Sequence, residues 1–215
     1  ILNIIVNTLE EKQRCKIALS GGTTPSRVYE LLSTKNIEWE RVDVFLGDER
    51  WVDQDNPLSN SLMIKKTLLS NHPGSKANFY PVPTTTFPNP SLSANAFEQK
   101  LQETFSENPP QFDLILLGLG EDGHTASLFP NSDSLKVIDR FCSVSEGNGQ
   151  VRITLTYPVL SSASNVIFLV SGSSKQVAIK RLIDPNEPFE RTPAKLVQPS
   201  NEVLVLADEP SLALI

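Results

Sequence analysis

The chain has 215 residues, 39% hydrophobic and 20% charged, with a formal net charge of −6, a composition that suits one α/β domain with a full core. It holds no apolar run long enough to span a bilayer and no block of like charge, and its acidic balance argues against a broad nucleic-acid footprint, which needs basic excess over phosphates. A single bound phosphate stays open, because a few local donors override the global sign.

Apolar residues at positions 1, 2, 5, 6 and 9 predict a helix from Ile1 to Leu9, and Lys16 to Leu19 a short strand. The chain thus starts inside a helix, and its natural ends are expected to lie outside this stretch. No basic, apolar leader points to secretion. Ser20-Gly21-Gly22-Thr23-Thr24-Pro25 then leads into a helix carrying Val28, Tyr29, Leu31 and Leu32, with Thr24 as the expected N-cap and Pro25 in the first helical position. Arg41 to Leu46 is a second strand, ending in the charged cluster Asp48-Glu49-Arg50. Asn56-Pro57 precedes a helix from Leu58 to Leu69 with Lys65 and Lys66 facing outward. Residues 71 to 91, with five prolines, read as a surface connection that carries His72 and a brief strand near Phe79 and Tyr80. An amphipathic helix from Ala94 to Phe105 follows.

Phe112 to Leu117 is a buried strand that breaks into a turn with Gly118, Gly120 and Gly123, and a helix is expected just beyond His124. Phe141 to Val144 and Val151 to Tyr157 are strands around Gly147-Asn148-Gly149. Val166 to Val170 repeats the strand, turn and helix arrangement through Ser171-Gly172-Ser173-Ser174-Lys175 and a helix to Leu182. Ala194 to Val197 is a short element, and Val203 to Ala207 is the last strand. Strands alternating with helices imply one domain over residues 1–215, a three-layer αβα fold with a mostly parallel, Rossmann-like sheet. Cys15 and Cys142 lie beside apolar strand residues, and no Cys or His spacing resembles a zinc site. They are expected as buried thiols in a reducing, cytoplasmic compartment, in a monomer without membrane or nucleic-acid partners.

In open α/β sheets, ligands bind where strand ends meet connections to opposite faces. The Ser20 to Pro25 turn reads as a phosphate cradle or as a plain tight connection. Ala18-Leu19-Ser20-Gly21-Gly22 also lies one residue from a nucleophile elbow, which would make Ser20 a nucleophile. Lys175 opens a helix, where a cation is unfavourable by about 0.3 to 1 kcal/mol, so it either meets an anion or is solvated. Arg152 is a second candidate phosphate partner, or else an exposed strand arginine. Asp48, Glu49 and Arg50 form a solvated turn or line the crevice. His124 follows three glycines at the mouth of a central strand, which favours a catalytic role over a structural one.

Leu19-Ser20-Gly21-Gly22-Thr23-Thr24-Pro25, Gly47-Asp48-Glu49-Arg50, Ser59-Asn60 and above all GLGEDGHTASLFP (118–130) together resemble the 6-phosphogluconolactonases, over nearly the whole chain and in the family's motif order. Related glucosamine-6-phosphate deaminases carry a glutamate five residues after the histidine, where this chain has Phe129, and a tyrosine where it has Arg50. Both departures favour the lactonases, although the family's N-terminal strand is missing. The resemblance implies hydrolysis of 6-phospho-D-glucono-1,5-lactone in the oxidative pentose phosphate pathway, with no metal or cofactor. It also implies His124 as general base and Asp48 or Asp122 orienting it or a sugar hydroxyl. Gly21, Gly22, Thr23, Thr24, Arg152 and Lys175 would hold the phosphate with Arg50 nearby or shared, Ser20, Gly118 and Gly120 belong to the substrate-binding turns, and backbone N–H groups of those glycine-rich turns or Arg50 would stabilise the oxyanion. The alternatives are a deaminase-like isomerase, a serine esterase using Ser20, and a sugar-phosphate-binding regulator, the last disfavoured by the presence of His124.

Overall fold

The computed structural model describes residues 1–70 and 73–215, so His72 lies outside the described residues. From the amino end, α1 (Leu2–Glu11) leads to β1 (Cys15–Leu19), α2 (Thr23–Ser33), β2 (Val42–Leu46), β3 (Asp48–Arg50), α3 (Asn60–Thr67), β4 (Asn78–Phe79), α4 (Pro90–Thr104) and β5 (Leu114–Gly118). The hairpin β6 (Cys142–Gly147) and β7 (Gln150–Leu155) comes next, followed by α5 (Tyr157–Ser161), β8 (Val166–Val170), α6 (Gln176–Ile183) and β9 (Val203–Ala207).

Six strands form a parallel sheet in the order β4-β2-β1-β5-β8-β9. Strand order therefore runs outward from β1 in one direction and outward from β5 in the other. The two central strands flank a topological switch point, and their carboxyl ends open into a crevice. Both faces are covered in the three-layer αβα arrangement, which is why β2 and β8 are buried at every position and read as unbroken apolar runs apart from Asp43. Phe45 stacks on Tyr80 with centroids 4.6 Å apart and meets Phe112 edge-on at 5.5 Å, closing the core beside β1. Among the described residues no helix is long and apolar enough to cross a membrane.

Charge is distributed unevenly between the two edges of this sheet. At the amino edge, Arg14 grips Asp43 through two hydrogen bonds of 2.6 and 2.5 Å. Lys12 meets Asp113 at 2.6 Å, and the Lys16 amide donates to the same carboxylate at 2.8 Å. Ions are matched closely there; at the carboxyl edge Arg152 meets Asp48 only at 3.6 Å and Lys175 meets no carboxylate among the described residues.

Four features depart from the sequence reading. No helix follows His124: Ala126 and Asn131 adopt positive φ of 48° and 58°, Thr125 Oγ1 donates back to Gly118 O at 2.8 Å, and the segment runs as a tight loop. Helix α2 begins two residues earlier than expected, with Gly22 at φ 114° as its N-cap, which frees the Thr24 hydroxyl to bond Ser171 Oγ at 2.8 Å. The Asp48-Glu49-Arg50 cluster is strand β3, not a turn. It joins β7 and β6 in a separate antiparallel sheet, in which Arg50 lies directly opposite Arg152. The expected strand through Tyr157 ends at Leu155, and Tyr157 opens α5. The expectation of buried thiols holds. Both cysteines are free and buried, and burial pushes the Cys15 thiol up to about 12.

Candidate active site

A cleft of about 470 Å³ opens at the carboxyl ends of β1 and β5, and every candidate site residue except Asp122 lines it. Ser20, Gly21, Gly22, Thr23 and Thr24 come from the β1–α2 turn, which Tyr29 holds from beneath by donating its hydroxyl to Ser20 O at 3.0 Å. Gly118, Gly120 and His124 come from the β5 loop, Asp48 and Arg50 from β3, Arg152 from β7, and Lys175 from the loop before α6. Asn60, Ala126, Ser171 and Ser174 complete much of the wall.

Asp122 stands behind the histidine. Its Oδ1 lies 2.5 Å from His124 Nδ1 and accepts the His124 backbone N–H at 3.1 Å. Burial pushes the Asp122 carboxyl up, but the bonds from the His124 ring and backbone outweigh it, and the net position is below the ordinary carboxylate value. A carboxylate at Nδ1 favours the tautomer that carries its proton there, in which Nε2 is the acceptor. Gly120 is required beneath this pair, since a Cβ there would lie 2.0 Å from His124 Nδ1. Asp48, the other candidate for this contact, is turned elsewhere. Its Oδ2 accepts from Ser127 Oγ at 2.5 Å and lies 3.6 Å from Arg152 Nη1.

The arginines were ambiguous in sequence, and Arg152 is the sharper case. It is only 7% exposed, so the exposed-strand alternative does not apply. Burial pushes its guanidinium down, Asp48 pulls it back up, and Arg50 pushes it down again. Like charges opposite each other on paired strands repel, and Asp48 offsets the charge of Arg152, its Oδ2 lying 3.6 Å from Nη1. Among the described residues, the buried Nε atoms of Arg50 and Arg152 and the hydroxyl of Ser20 have no hydrogen-bond partner. Lys175 adds a third cation at the cleft wall, paired with no carboxylate among the described residues. With no base bonded to its hydroxyl, Ser20 lacks the activation a nucleophile elbow needs.

Phe129 packs its ring against His124 at a centroid distance of 4.5 Å, and the Arg152 guanidinium sits over the Phe129 ring, 5.3 Å from its centroid. A Cβ on Gly147 would fall 2.3 Å from that ring, so the β6–β7 hairpin tip must be glycine for Phe129 to seat. The structure places Glu49 differently from the sequence reading and adds Ser127 and Asn60, to which that reading gave no role. Glu49 is fully buried rather than lining the crevice, Ser127 anchors Asp48, and Asn60 contacts both Asp48 and Arg50. All three fall within the motifs that carry the resemblance: Glu49 in residues 47–50, Asn60 in Ser59-Asn60 and Ser127 in residues 118–130.

A parallel sheet whose switch point bears a glycine turn, unmatched cations and a carboxylate-held histidine defines a Rossmann-like α/β protein with a cationic cleft. The chain matches the model of the family glucosamine-6-phosphate isomerases/6-phosphogluconolactonase over residues 1–206 and belongs to that family. It is 40% identical over 211 residues to a 6-phosphogluconolactonase of Nostoc sp., spanning 97% of this chain and 88% of that one. A 6-phosphogluconolactonase of Synechocystis sp. is 41% identical over 208 residues, spanning 95% and 86% respectively. The crystal structure of a 6-phosphogluconolactonase from Shewanella baltica superposes with a TM-score of 0.85 at 28% identity, covering 95% of this chain and 88% of that one.

Proposed function

We propose that this chain is an enzyme that hydrolyses 6-phospho-D-glucono-1,5-lactone to 6-phosphogluconate. One observation carries the reading: a carboxylate-paired imidazole shares a cleft with two arginines whose buried Nε donors have no partner among the described residues. Unmet guanidinium donors favour a dianionic ligand, and an imidazole with one free nitrogen favours proton transfer at an ester. The named relatives support the same substrate.

In this reading the phosphate sits against the β1–α2 turn, Arg152 and Lys175, with Arg50 beside it. The α2 amino terminus and the glycine backbone suit an anion. His124 Nε2 accepts a proton from water as its oxygen attacks the lactone carbonyl carbon. The tetrahedral oxyanion collapses, the bond from the carbonyl carbon to the ring oxygen breaks, and the imidazolium returns the proton to that oxygen. Asp122 holds the ring and stabilises its charged form, a role typically worth about a hundred- to ten-thousand-fold in rate when joined to the base itself. Binding at the remote phosphate fixes the carbonyl against Nε2. No step uses a covalent nucleophile.

The test is lactone opening measured beside glucosamine-6-phosphate deamination on one preparation, at mildly acidic pH where spontaneous opening is slow. Lactone hydrolysis is expected and deamination is not. Phe129 occupies the position of the deaminase glutamate and buries an apolar ring there. Deamination without lactone hydrolysis would refute the proposal.

A further inference from the structure

Asn60 opens α3, is only 2% exposed, and joins three walls of the cleft. Its Oδ1 accepts from Arg50 Nη1 at 2.9 Å, and its Nδ2 donates to Asp48 O at 2.8 Å. The same side chain fills the space over the glycine turn, where a Cβ on Gly21 would lie 1.9 Å from Asn60 Oδ1 and 2.4 Å from its Cγ. Any side chain at residue 21 would drive the amide off the arginine. Its backbone is pinned from behind by Glu49, whose Oε1 accepts Asn60 N and whose Oε2 accepts Ser61 N, each at 2.7 Å. The Glu49 carboxylate thus occupies the amino end of α3, where the helix dipole and the free N–H groups favour an anion.

The chemistry of this junction is selective. Arg50 faces a like charge at Arg152 across the β3–β7 pair, so an untethered Arg50 would swing away from the cleft. Leu58 O at 2.7 Å and Asn60 Oδ1 are the two acceptors that hold it, both on Nη1, and Nε stays unpartnered. Both acceptors are neutral. A carboxylate at position 60 would hold the guanidinium equally well but would cancel its charge and repel an incoming anion. An amide restrains Arg50 and leaves its charge available.

We infer that Asn60 is a positioning residue that acts through Arg50, presenting an uncancelled guanidinium to the substrate's anionic group and locking it against the glycine turn. The inference rests on the proposed lactonase activity for its main assay.

A double-mutant cycle tests it. Asn60→Ala in the otherwise unchanged chain removes a hydrogen bond to a charged group, and kcat/KM for the phosphorylated lactone is expected to fall about tenfold to a hundredfold, mainly through KM. In an Arg50→Ala background the same substitution is expected to cost less than about threefold, because the group it positions is gone. Asn60→Asp is expected to be no better than alanine. Equal losses in both backgrounds, unchanged kcat/KM in folded Asn60→Ala, or near-normal KM in Asn60→Asp would each overturn the inference. A cooperative melt establishes folding, and Asn60→Ser, polar but too short to reach Arg50, replaces alanine if that variant does not fold. Inorganic phosphate titrated calorimetrically into the same four proteins gives a readout independent of turnover. Wild type inactive on lactone while the phosphate cycle remains non-additive would refute the lactonase proposal alone. Additive phosphate binding would refute the role of Asn60 alone.

Discussion

Replacing Asp122 with asparagine probes the proton chemistry most directly. The carboxylate oxygen sits 2.5 Å from His124 Nδ1 and has no arginine or lysine partner among the described residues. A hydrogen bond to a charged group contributes about 1.5 to 3 kcal/mol, a factor of about 10 to 150 in rate if it is strongest when the ring is charged. The Asp122 side chain is 45% exposed, and solvent screening moves the expectation toward the lower end. An opposing effect comes from the tautomer. The asparagine amide can donate to Nδ1, which moves the ring proton to Nε2 and removes the acceptor from the cleft. Asp122→Asn is therefore expected to lower kcat about tenfold to a hundredfold, with KM within about threefold of wild type. Initial rates of lactone opening, corrected for spontaneous hydrolysis, measure this. A variant within about twofold of wild-type kcat would show that the carboxylate neither holds the ring nor supports its charge. The same substitution carries a stability signature. Because the folded carboxyl lies below its ordinary value of 3.8, its contribution to stability is complete above that value and is lost as pH falls through the lower folded value. Melting temperatures of Asp122→Asn and wild type are expected to differ at neutral pH and converge in acid.

Further outcomes follow from the other contacts. His124→Asn is expected to depress kcat far more than it changes KM, and near-normal turnover would remove the imidazole from the mechanism. Lys175→Ala, at a cleft wall without a carboxylate partner, is expected to raise KM for phosphorylated lactone with kcat nearly retained; an unchanged KM would make it a solvated surface lysine. Gly120→Ala places a Cβ 2.0 Å from His124 Nδ1 and 2.6 Å from Asp122 Oδ1, so kcat is expected to fall while inorganic phosphate still binds. Loss of phosphate affinity in that variant, checked by calorimetry, would point to a wider collapse of the loop.

Much of this fold was legible in the chain because its signals are local. Five parallel strands are short apolar runs, and turn residues follow each at the edge where the cleft lies. His124, the glycine turn and Lys175 could be placed at that edge because a βα unit has only one direction in which to deliver its loop. The departures come where long-range pairing overrides local pattern. Asp48-Glu49-Arg50 looks like a polar turn by composition, yet backbone pairing with β7 makes it a buried strand and sets two arginines opposite each other. The Thr125 bond to Gly118 and the positive φ of Ala126 hold as a loop what reads in sequence as the start of a helix.

The sequence by itself determined the alternating architecture, the crevice edge and the residue types gathered there, since periodicity and turn chemistry act over a few residues. Tertiary structure alone decided the partners. It matched Asp122 rather than Asp48 to His124, left the Nε donors of Arg50 and Arg152 unmet among the described residues, and set Asn60 between Arg50 and the glycine turn. Hydrogen bonds and ion pairs depend on distances of about 3 Å between groups far apart in the chain, and only the closing of the sheets sets those distances.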